Sequence, residues 1–177
     1  MSFAISIKAP STAGARLRAY WDRFGRFEQT PSMAALAYPP HVTFAVYEHI
    51  EEDRLRDAVH RVFSRQSCIS LRFAKISRFE KPNLVFWAAP DRSEALLRVH
   101  AAIHGLIDPA SCDVKYRPGH WLPHCTLATR VIEAKKQEAV ALADQPIEVF
   151  DVTFDWADCV QFPPVKVIEE LRLQPTV

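Results

Sequence analysis

The sequence YPPHVTFA, residues 38–45, has a second copy in the same chain, WLPHCTLA, residues 121–128. Both stretches read aromatic residue, any residue, proline, histidine, any residue, threonine, apolar residue, alanine. No repeat with the period of about 20–50 residues that marks a solenoid accompanies them. A single long-range duplication predicts two pseudo-symmetric lobes that face each other, each contributing one copy of the pattern.

The residues after the first proline pair alternate as in a β-strand, where side chains two positions apart point to the same face. We expect this strand over residues 41–47. His41 and Thr43 would then share a face with Ala45 and Tyr47. The side chain of Ala45 is small, so the floor of the cleft would leave room for an anionic group such as a phosphate. Tyr47 is a candidate substrate contact.

The second copy predicts the same arrangement in a strand over residues 124–130. His124 and Thr126 would share a face with Ala128, which again keeps the floor low, and with Arg130, a second candidate substrate contact. The apolar residues between them would enter the core of their lobe. Two such strands facing across a cleft would present two imidazoles and two hydroxyls to one small volume.

This set of side chains suits phosphodiester chemistry. An imidazole titrates near neutrality, so one histidine can take a proton from an attacking nucleophile while the other gives a proton to the leaving oxygen. Two threonine hydroxyls can donate hydrogen bonds to the non-bridging oxygens, where charge collects in the transition state. The pattern therefore makes His41 and His124 candidate catalytic residues, and Thr43 and Thr126 candidate phosphate-binding residues.

The rest of the chain mixes strand–helix units with hairpins, which favours the α+β class with mainly antiparallel sheets flanked by helices. Strands are expected over residues 3–7, 41–47, 68–79, 83–89, 124–130, 147–161 and 165–173. Helices are expected over residues 11–27, 51–63, 91–107 and 132–143. We expect residues 1–177 to form one bilobal domain around a central cleft.

Composition limits the classes of partner. The chain has 22 basic and 21 acidic residues, and proteins that track long nucleic acids usually have a basic excess. Long DNA is therefore not expected. The four cysteines form no C-x-x-C pair, which is typical of free thiols in a reducing compartment. The amino terminus lacks the features of a secretion signal, and no apolar run reaches the length of a membrane span. We expect a cytoplasmic monomer without a membrane partner.

The irregular segment before the second motif holds further candidate substrate contacts. Tyr116 and Trp121 could stack on a base, and Arg117 could pair with a phosphate, if a loop there covers the cleft. An ordinary surface loop anchored by one tryptophan is an equally good interpretation.

His100 and His104 are spaced so that they share one face of a predicted helix. The zinc-protease pattern would need a glutamate after the first histidine, but Ala101 stands there. No third ligand is evident, so we expect hydrogen-bonded helix histidines and no metal site.

At His41-Val42-Thr43-Phe44 and His124-Cys125-Thr126-Leu127 the sequence resembles the two-histidine (2H) phosphoesterase superfamily. The resemblance is to the bacterial 2′-5′ RNA ligase-like group of RNA 2′,3′-cyclic phosphodiesterases. It implies a bilobal duplicated fold in which the two histidines form the acid–base pair and the two threonines hold the phosphate. It further implies opening of 2′,3′-cyclic phosphates, or cleavage or joining of 2′–5′ linkages, without a metal or other cofactor. The implied partner is a small nucleotide or a short RNA with such a phosphate.

Three functions remain open at this point. The first is a metal-independent phosphoesterase that opens cyclic phosphates of RNA ends or small nucleotides. The second is a 2′-5′ RNA ligase or 2′-5′ phosphodiesterase acting on linear substrates. The third is a binding module that holds a phosphorylated ligand or RNA end without turnover.

Overall fold

The computed structural model describes residues 1–176, and within that range the chain forms eight strands and five α-helices. The strands are β1 (Ser2–Lys8), β2 (His41–Tyr47), β3 (Ile69–Phe79), β4 (Val85–Pro90), β5 (Cys125–Ala128), β6 (Phe150–Phe154), β7 (Trp156–Phe162) and β8 (Lys166–Arg172). The helices are α1 (Ala15–Gly25), α2 (Ser32–Ala35), α3 (Glu52–Phe63), α4 (Glu94–Leu106) and α5 (Lys136–Ala143). The predicted α+β class is confirmed.

The strands form two four-stranded antiparallel sheets, in the orders β2-β1-β7-β8 and β5-β4-β3-β6. The strands that carry the two His-x-Thr motifs, β2 and β5, occupy equivalent positions, each at the edge of its sheet. The edge position leaves one side of each strand free to face the other lobe. The two sheets thus form the pseudo-symmetric duplication predicted from the repeated motif.

A β-bulge in β2 reverses the alternation of its side chains after Thr43. Ser6 of β1 lies opposite Thr43 and the neighbouring Ile5 lies opposite Ala45, so Phe44 has no partner residue. A bulge of this kind turns every later side chain to the other face. Phe44, Ala45 and Tyr47 are all fully buried in the core.

The same bulge recurs in β5, where Trp87 lies opposite Thr126, the neighbouring Phe86 lies opposite Ala128, and Leu127 is unpaired. Ala128 is fully buried beside Leu127. The prediction that Ala45 and Ala128 form the cleft floor is therefore wrong. Both alanines belong to the core, because an apolar residue and a small residue enter it consecutively at each bulge.

The helices cross between the two halves of the chain. Helix α1 follows a strand of the first sheet but packs against β5 and α2, whereas α4 follows a strand of the second sheet and packs against β2 and α3. Helix α3 also covers β7 and β8. Each motif-bearing strand is consequently contacted by a helix from the other half. None of the helices in residues 1–176 has both the length and the apolar character needed to cross a membrane.

The stretch predicted as one strand over residues 147–161 forms two strands that belong to different sheets. Strand β6 pairs with β3, and β7 pairs with β1. Strand β6 contributes the even-numbered Phe150, Val152 and Phe154 to the main core, whereas β7 contributes the odd-numbered Ala157 and Cys159. The buried Asp158 and Val160 lie on the other face of β7. The change of phase occurs at Asp155, where the chain passes from one lobe to the other.

A buried ionic group lies beneath the first motif. The Lys8 ammonium donates to Asp158 Oδ2 and Glu170 Oε2, each at 2.7 Å, and the Tyr38 hydroxyl donates to Asp158 Oδ1 at 2.6 Å. Burial by itself lowers the pKa of Lys8, but the two carboxylates outweigh it and raise that pKa overall. These bonds join β1, β7 and β8 to the segment that leads into β2.

The free energies of unfolding of two Tyr→Phe variants test whether the bulge places Tyr47 in the core. The Tyr47 hydroxyl is buried and has no hydrogen-bond partner within residues 1–176, so Tyr47→Phe should leave the free energy of unfolding unchanged or raise it by up to about 1 kcal/mol. Tyr38→Phe removes a donor from a buried carboxylate and should lower that free energy by about 1.5–3 kcal/mol. Urea denaturation measures both; equal destabilisation of the two variants would show that Tyr47 is not placed as described.

Candidate active site

One cavity of about 210 Å³ is lined by all four motif side chains, His41, Thr43, His124 and Thr126. The first two come from β2, Thr126 comes from β5, and His124 immediately precedes β5. The four residues are half-buried, in contrast to the fully buried residues that alternate with them. Two stretches remote in sequence therefore meet at a single small volume, as the repeat predicts.

Each histidine is oriented by the carbonyl two residues before it. His41 Nδ1 lies 2.8 Å from the Pro39 carbonyl oxygen, and His124 Nδ1 lies 2.8 Å from the Leu122 carbonyl oxygen. Since a carbonyl only accepts, Nδ1 carries the hydrogen in both rings, and Nε2 is left as the nitrogen available for proton transfer. The proline between carbonyl and histidine has a fixed φ and so restricts the conformation of this short segment. That function accounts for the proline in both copies of the repeat.

Aromatic rings surround both imidazoles. The Tyr38 ring packs on His41 with the centroids 4.8 Å apart. Phe79 and Trp87 contact His124 edge-on, at centroid distances of 5.5 and 5.7 Å. These rings hold the imidazoles in place and exclude water from one side of each.

Burial makes both histidines weaker bases than free imidazole. Burial lowers the pKa of His41 to about 4, although its bond to the Pro39 carbonyl acts in the opposite direction and the charges of His124 and Lys8 add to the lowering. Burial likewise lowers the pKa of His124. The charge of His124 is one of the causes that lower the pKa of His41, as expected for two rings that line one cavity.

The two threonines differ in their immediate partners. Thr43 Oγ1 lies 3.1 Å from the hydroxyl oxygen of Ser6, which is buried in β1 and also lines the cavity. The Thr126 hydroxyl forms no side-chain hydrogen bond with another residue in the described part of the chain. Both hydroxyls can rotate to donate to an anion placed between the histidines.

Three side-chain hydrogen bonds tie the motifs to the opposite half of the chain. The Trp121 indole Nε1 donates to the Thr43 carbonyl at 2.9 Å, and the Trp21 Nε1 donates to the Thr126 carbonyl at 3.0 Å. The Cys125 thiol donates to the His41 carbonyl at 3.1 Å. The two indole bonds have equivalent acceptors, the Thr43 and Thr126 carbonyls on the edge strands, but Trp21 lies on α1 and Trp121 in the segment before β5.

The structure separates the predicted substrate contacts into two groups. Tyr116 lines the cavity between the two motifs. Trp121 lines a neighbouring, larger cavity, but its indole N–H is already bonded and its ring stacks on His100 at 4.2 Å. Tyr116 thus remains a candidate substrate contact. Trp121 lies in the wall of the larger cavity, and its hydrogen bond and its stacking on His100 give it a structural role as well.

The other three predicted contacts do not reach the cavity. Tyr47 is 0% exposed because of the bulge. The Arg117 guanidinium donates to the carbonyls of Cys112 and Ala110, so it holds its own loop together. Arg130 lies beyond the end of β5, and its backbone N–H donates to Glu28 while its side chain is exposed. Strand β5 ends before Arg130, so the alternation of side chains that predicted its contact does not extend to it. The predicted substrate contacts of Tyr47, Arg117 and Arg130 are therefore wrong.

His100 and His104 have the structural role expected for them. The Nε2 atoms of both rings lie 2.7 and 3.0 Å from the Tyr116 carbonyl oxygen. Together they fix the backbone of the residue whose side chain lines the cavity. Within residues 1–176 no three His, Cys, Asp or Glu side chains are grouped so that they could hold a metal ion.

Sequence reasoning missed several residues that build the site. Ser6, Tyr38 and Val46 line the cavity. The charge of the Lys8 ammonium contributes to lowering the pKa of His41. Tyr38 stands at the aromatic position of the repeat, which was a usable signal. Val46 enters the cavity only because of the bulge, and nothing in the alternation of β2 indicates that bulge.

Solved structures with the same fold cover almost the whole chain. TT0787 of Thermus thermophilus is 19% identical over 99% of both chains, with a TM-score of 0.67. The LigT protein of E. coli in its apo form is 13% identical over 98% of this chain and 99% of its own, with a TM-score of 0.64. LigT has also been solved in complexes with 3′-AMP, NADP+, ATP and phosphate. At these identities the similarity establishes the fold.

No curated protein is similar enough in sequence to count as a relative. The family model of the 2′-5′ RNA ligase superfamily, in contrast, matches residues 10–160, which is most of the chain. The match includes both His-x-Thr motifs and the strands between them. This protein therefore belongs to the 2′-5′ RNA ligase superfamily.

Proposed function

We propose that the protein is a phosphodiesterase that opens 2′,3′-cyclic phosphates of nucleotides or short RNA ends by acid–base catalysis. The observation that carries the proposal is the matched orientation of the two imidazoles. Both Nδ1 atoms are bonded to carbonyls, which leaves both Nε2 atoms as the free nitrogens of one cavity. Two free imidazole nitrogens beside two hydroxyls supply each group that hydrolysis of a phosphodiester requires.

In the proposed reaction, one Nε2 accepts a proton from water as the water oxygen forms a bond to phosphorus. The other imidazole, protonated at the start, gives its Nε2 proton to the ribose oxygen as the bond between that oxygen and phosphorus breaks. The hydroxyls of Thr43 and Thr126 donate to the non-bridging oxygens. At the end the proton has moved from one imidazole to the other, and solvent exchange resets the pair.

The lining of the cavity supports an anionic ligand. None of the cavity residues among the described part of the chain is acidic, and the polar side chains that it presents are hydroxyls and imidazoles. LigT, which has the same fold, forms complexes with 3′-AMP and with phosphate. A nucleotide whose phosphate lies between the two motifs is therefore the ligand class that we assign to this protein.

Membership of the 2′-5′ RNA ligase superfamily favours one further activity, cleavage or formation of 2′–5′ linkages. A ribose hydroxyl would then replace water as the group that gains or loses the proton. The same two nitrogens would serve both directions by microscopic reversibility. Product analysis with a 2′–5′ dinucleotide and a 2′,3′-cyclic mononucleotide distinguishes the two activities.

Asparagine substitution tests the roles of the two histidines. An asparagine amide can replace Nδ1 as donor to the upstream carbonyl but has no atom at Nε2, so His41→Asn and His124→Asn should fold normally. Each should reduce kcat for 2′,3′-cyclic CMP by about 10²–10⁴-fold. Initial rates measure the effect. His49→Asn, at an exposed position outside the cavity, is the matched control and should keep full activity.

Retention of more than a tenth of the activity by either motif variant would contradict the proposal. If the unmodified protein binds 3′-AMP but turns over none of the cyclic or 2′–5′ substrates, the protein is a binding module and not an enzyme.

The pH profile follows from the two lowered pKa values. The reactive form of the pair holds one proton, and both histidines have pKa values below the ordinary 6.5 in the free protein. We therefore expect a bell-shaped profile of kcat/KM with its maximum below about pH 6.5 and a decline towards pH 8. A bound phosphate anion stabilises the added proton, so the profile of kcat should lie at higher pH. A value of kcat/KM that still rises between pH 7 and 8 would be incompatible with this pair.

Chelation tests the reaction class. The two imidazoles and two hydroxyls fill the acid, base and charge-stabilising roles, so we expect the protein to keep its full initial rate after treatment with EDTA and removal of the chelator. A loss of activity that added Mg²⁺, Mn²⁺ or Zn²⁺ restores would assign the protein to a metal-dependent mechanism.

A further inference from the structure

A second and larger cavity opens beside His124. It has a volume of about 580 Å³ and adjoins the cavity between the motifs, because Tyr116 and His124 line both. One wall is the hairpin between β3 and β4, and the other is the segment of residues 114–122. A ligand held between the two histidines would reach this space past the side chains of Tyr116 and His124. We call this space the lysine groove.

The lysine groove combines apolar walls with cationic side chains. Phe79 and Tyr116 provide aromatic surface, and Val114 and Leu122 are large apolar residues that are 52% and 47% exposed. Such walls are what a ribose and a base pack against. Val114 and Leu122 are two of the six exposed large apolar residues in the described chain, and a substrate in the groove would cover both.

The charged residues of the groove are Lys81 and Lys115, both exposed, and within residues 1–176 neither forms an ion pair. No acidic residue belongs to the described lining. Of the two adjacent carboxylates, Glu80 pairs with Arg78 at 3.1 Å, and Asp113 accepts from the Lys115 backbone N–H at 2.9 Å. Neither carboxylate belongs to the lining, so the charged side chains that the described groove presents to a ligand are the two lysines.

The other end of the cleft has the opposite character. Apart from the motif residues, Ser6, Tyr38 and Tyr116, the small cavity is lined by apolar side chains, and no lysine or arginine belongs to its described lining. These side chains are Ala4, Leu36, Val46, Val160, Phe162 and Val165. An anionic group in addition to the scissile phosphate therefore finds charge complementarity only on the His124 side.

We propose that the lysine groove binds a second phosphate of the substrate, placed one nucleoside away from the phosphate held by the two motifs. The inference rests on the function proposed above and narrows its substrate class. The preferred substrate carries a cyclic phosphate together with either a 5′-phosphate or a bridging phosphodiester. A 2′,3′-cyclic mononucleotide without a further phosphate leaves both lysines unused and is a poorer substrate.

Three substrates test this inference: 2′,3′-cyclic CMP, its 5′-phosphorylated form, and the dinucleotide CpC ending in a 2′,3′-cyclic phosphate. For the unmodified protein we expect kcat/KM to be about tenfold higher for at least one of the two phosphate-bearing substrates. An advantage for the dinucleotide alone identifies short RNA ends, and an advantage for the 5′-phosphate alone identifies mononucleotides. Equal kcat/KM values for all three substrates would overturn the inference.

Lysine variants then test whether the lysine groove causes the difference in kcat/KM between these substrates. The double variant Lys81→Gln/Lys115→Gln should reduce the tenfold advantage to about twofold while leaving kcat/KM for 2′,3′-cyclic CMP within twofold of its original value. Lys75→Gln is the matched control, because Lys75 is an exposed lysine on β3 that lines neither cavity. An advantage that survives in the double variant would show that the second phosphate binds elsewhere.

Binding measurements separate failure of this inference from failure of the proposed function. If no substrate is turned over, the acid–base proposal fails, and calorimetry can still compare 3′-AMP with adenosine 3′,5′-bisphosphate. We expect the bisphosphate to bind about tenfold more tightly, with a steeper dependence on salt, and the double lysine variant to lose that difference. Equal affinities for the two nucleotides would overturn the inference whatever the outcome for catalysis.

Discussion

The geometry of the cleft depends on how the unpaired edges of β2 and β5 are satisfied. An edge strand presents backbone groups that would otherwise bind water or another chain. Here the Thr43 carbonyl accepts from Trp121, and the Thr126 carbonyl accepts from Trp21. Each tryptophan comes from the half of the chain that does not contain its acceptor. The contacts that protect the sheet edges therefore also set how far apart the two motifs stand.

The bulges explain why each motif reads as it does. A regular strand would place every second residue in the cleft, whereas the bulge after each threonine returns the next two residues to the core and, in β2, brings Val46 into the cavity. Alternation up to Thr43 could be predicted from sequence, because the buried and cleft-facing residues differ in polarity. The reversal at Phe44 could not, since Ala45 and Tyr47 are acceptable on either face. The error at Tyr47 has this single origin.

The other errors arise where tertiary contacts decide the outcome. Arg117 is satisfied by carbonyls of its own loop, and no sequence pattern distinguishes that use from a phosphate contact. The division of residues 150–162 between two sheets depends on which strands lie alongside, because the alternation of Phe150, Val152, Phe154 and Trp156 continues across the change of sheet. The repeat, in contrast, could be interpreted from sequence because its proline, histidine and threonine each have a local function. The Pro39 and Leu122 carbonyls are two residues before their histidines, so the motif contains the groups that orient it.

Duplication makes the two motifs equivalent in backbone, but their surroundings make them chemically different. Lys8 lies opposite His41 in the sheet, and its ammonium opposes protonation of that ring. His124 instead has two aromatic neighbours and opens onto the lysine groove. A pseudo-symmetric pair can exchange a proton in either direction, but unequal surroundings favour one assignment of acid and base for a given substrate orientation. In the proposed reaction that orientation would follow from where the rest of the substrate can lie, since the two lysines belong to the cavity that adjoins His124. In the proposed reaction, the side chains that differ between the two lobes would thus decide which histidine is the acid and which is the base. The two motifs are alike and do not decide it.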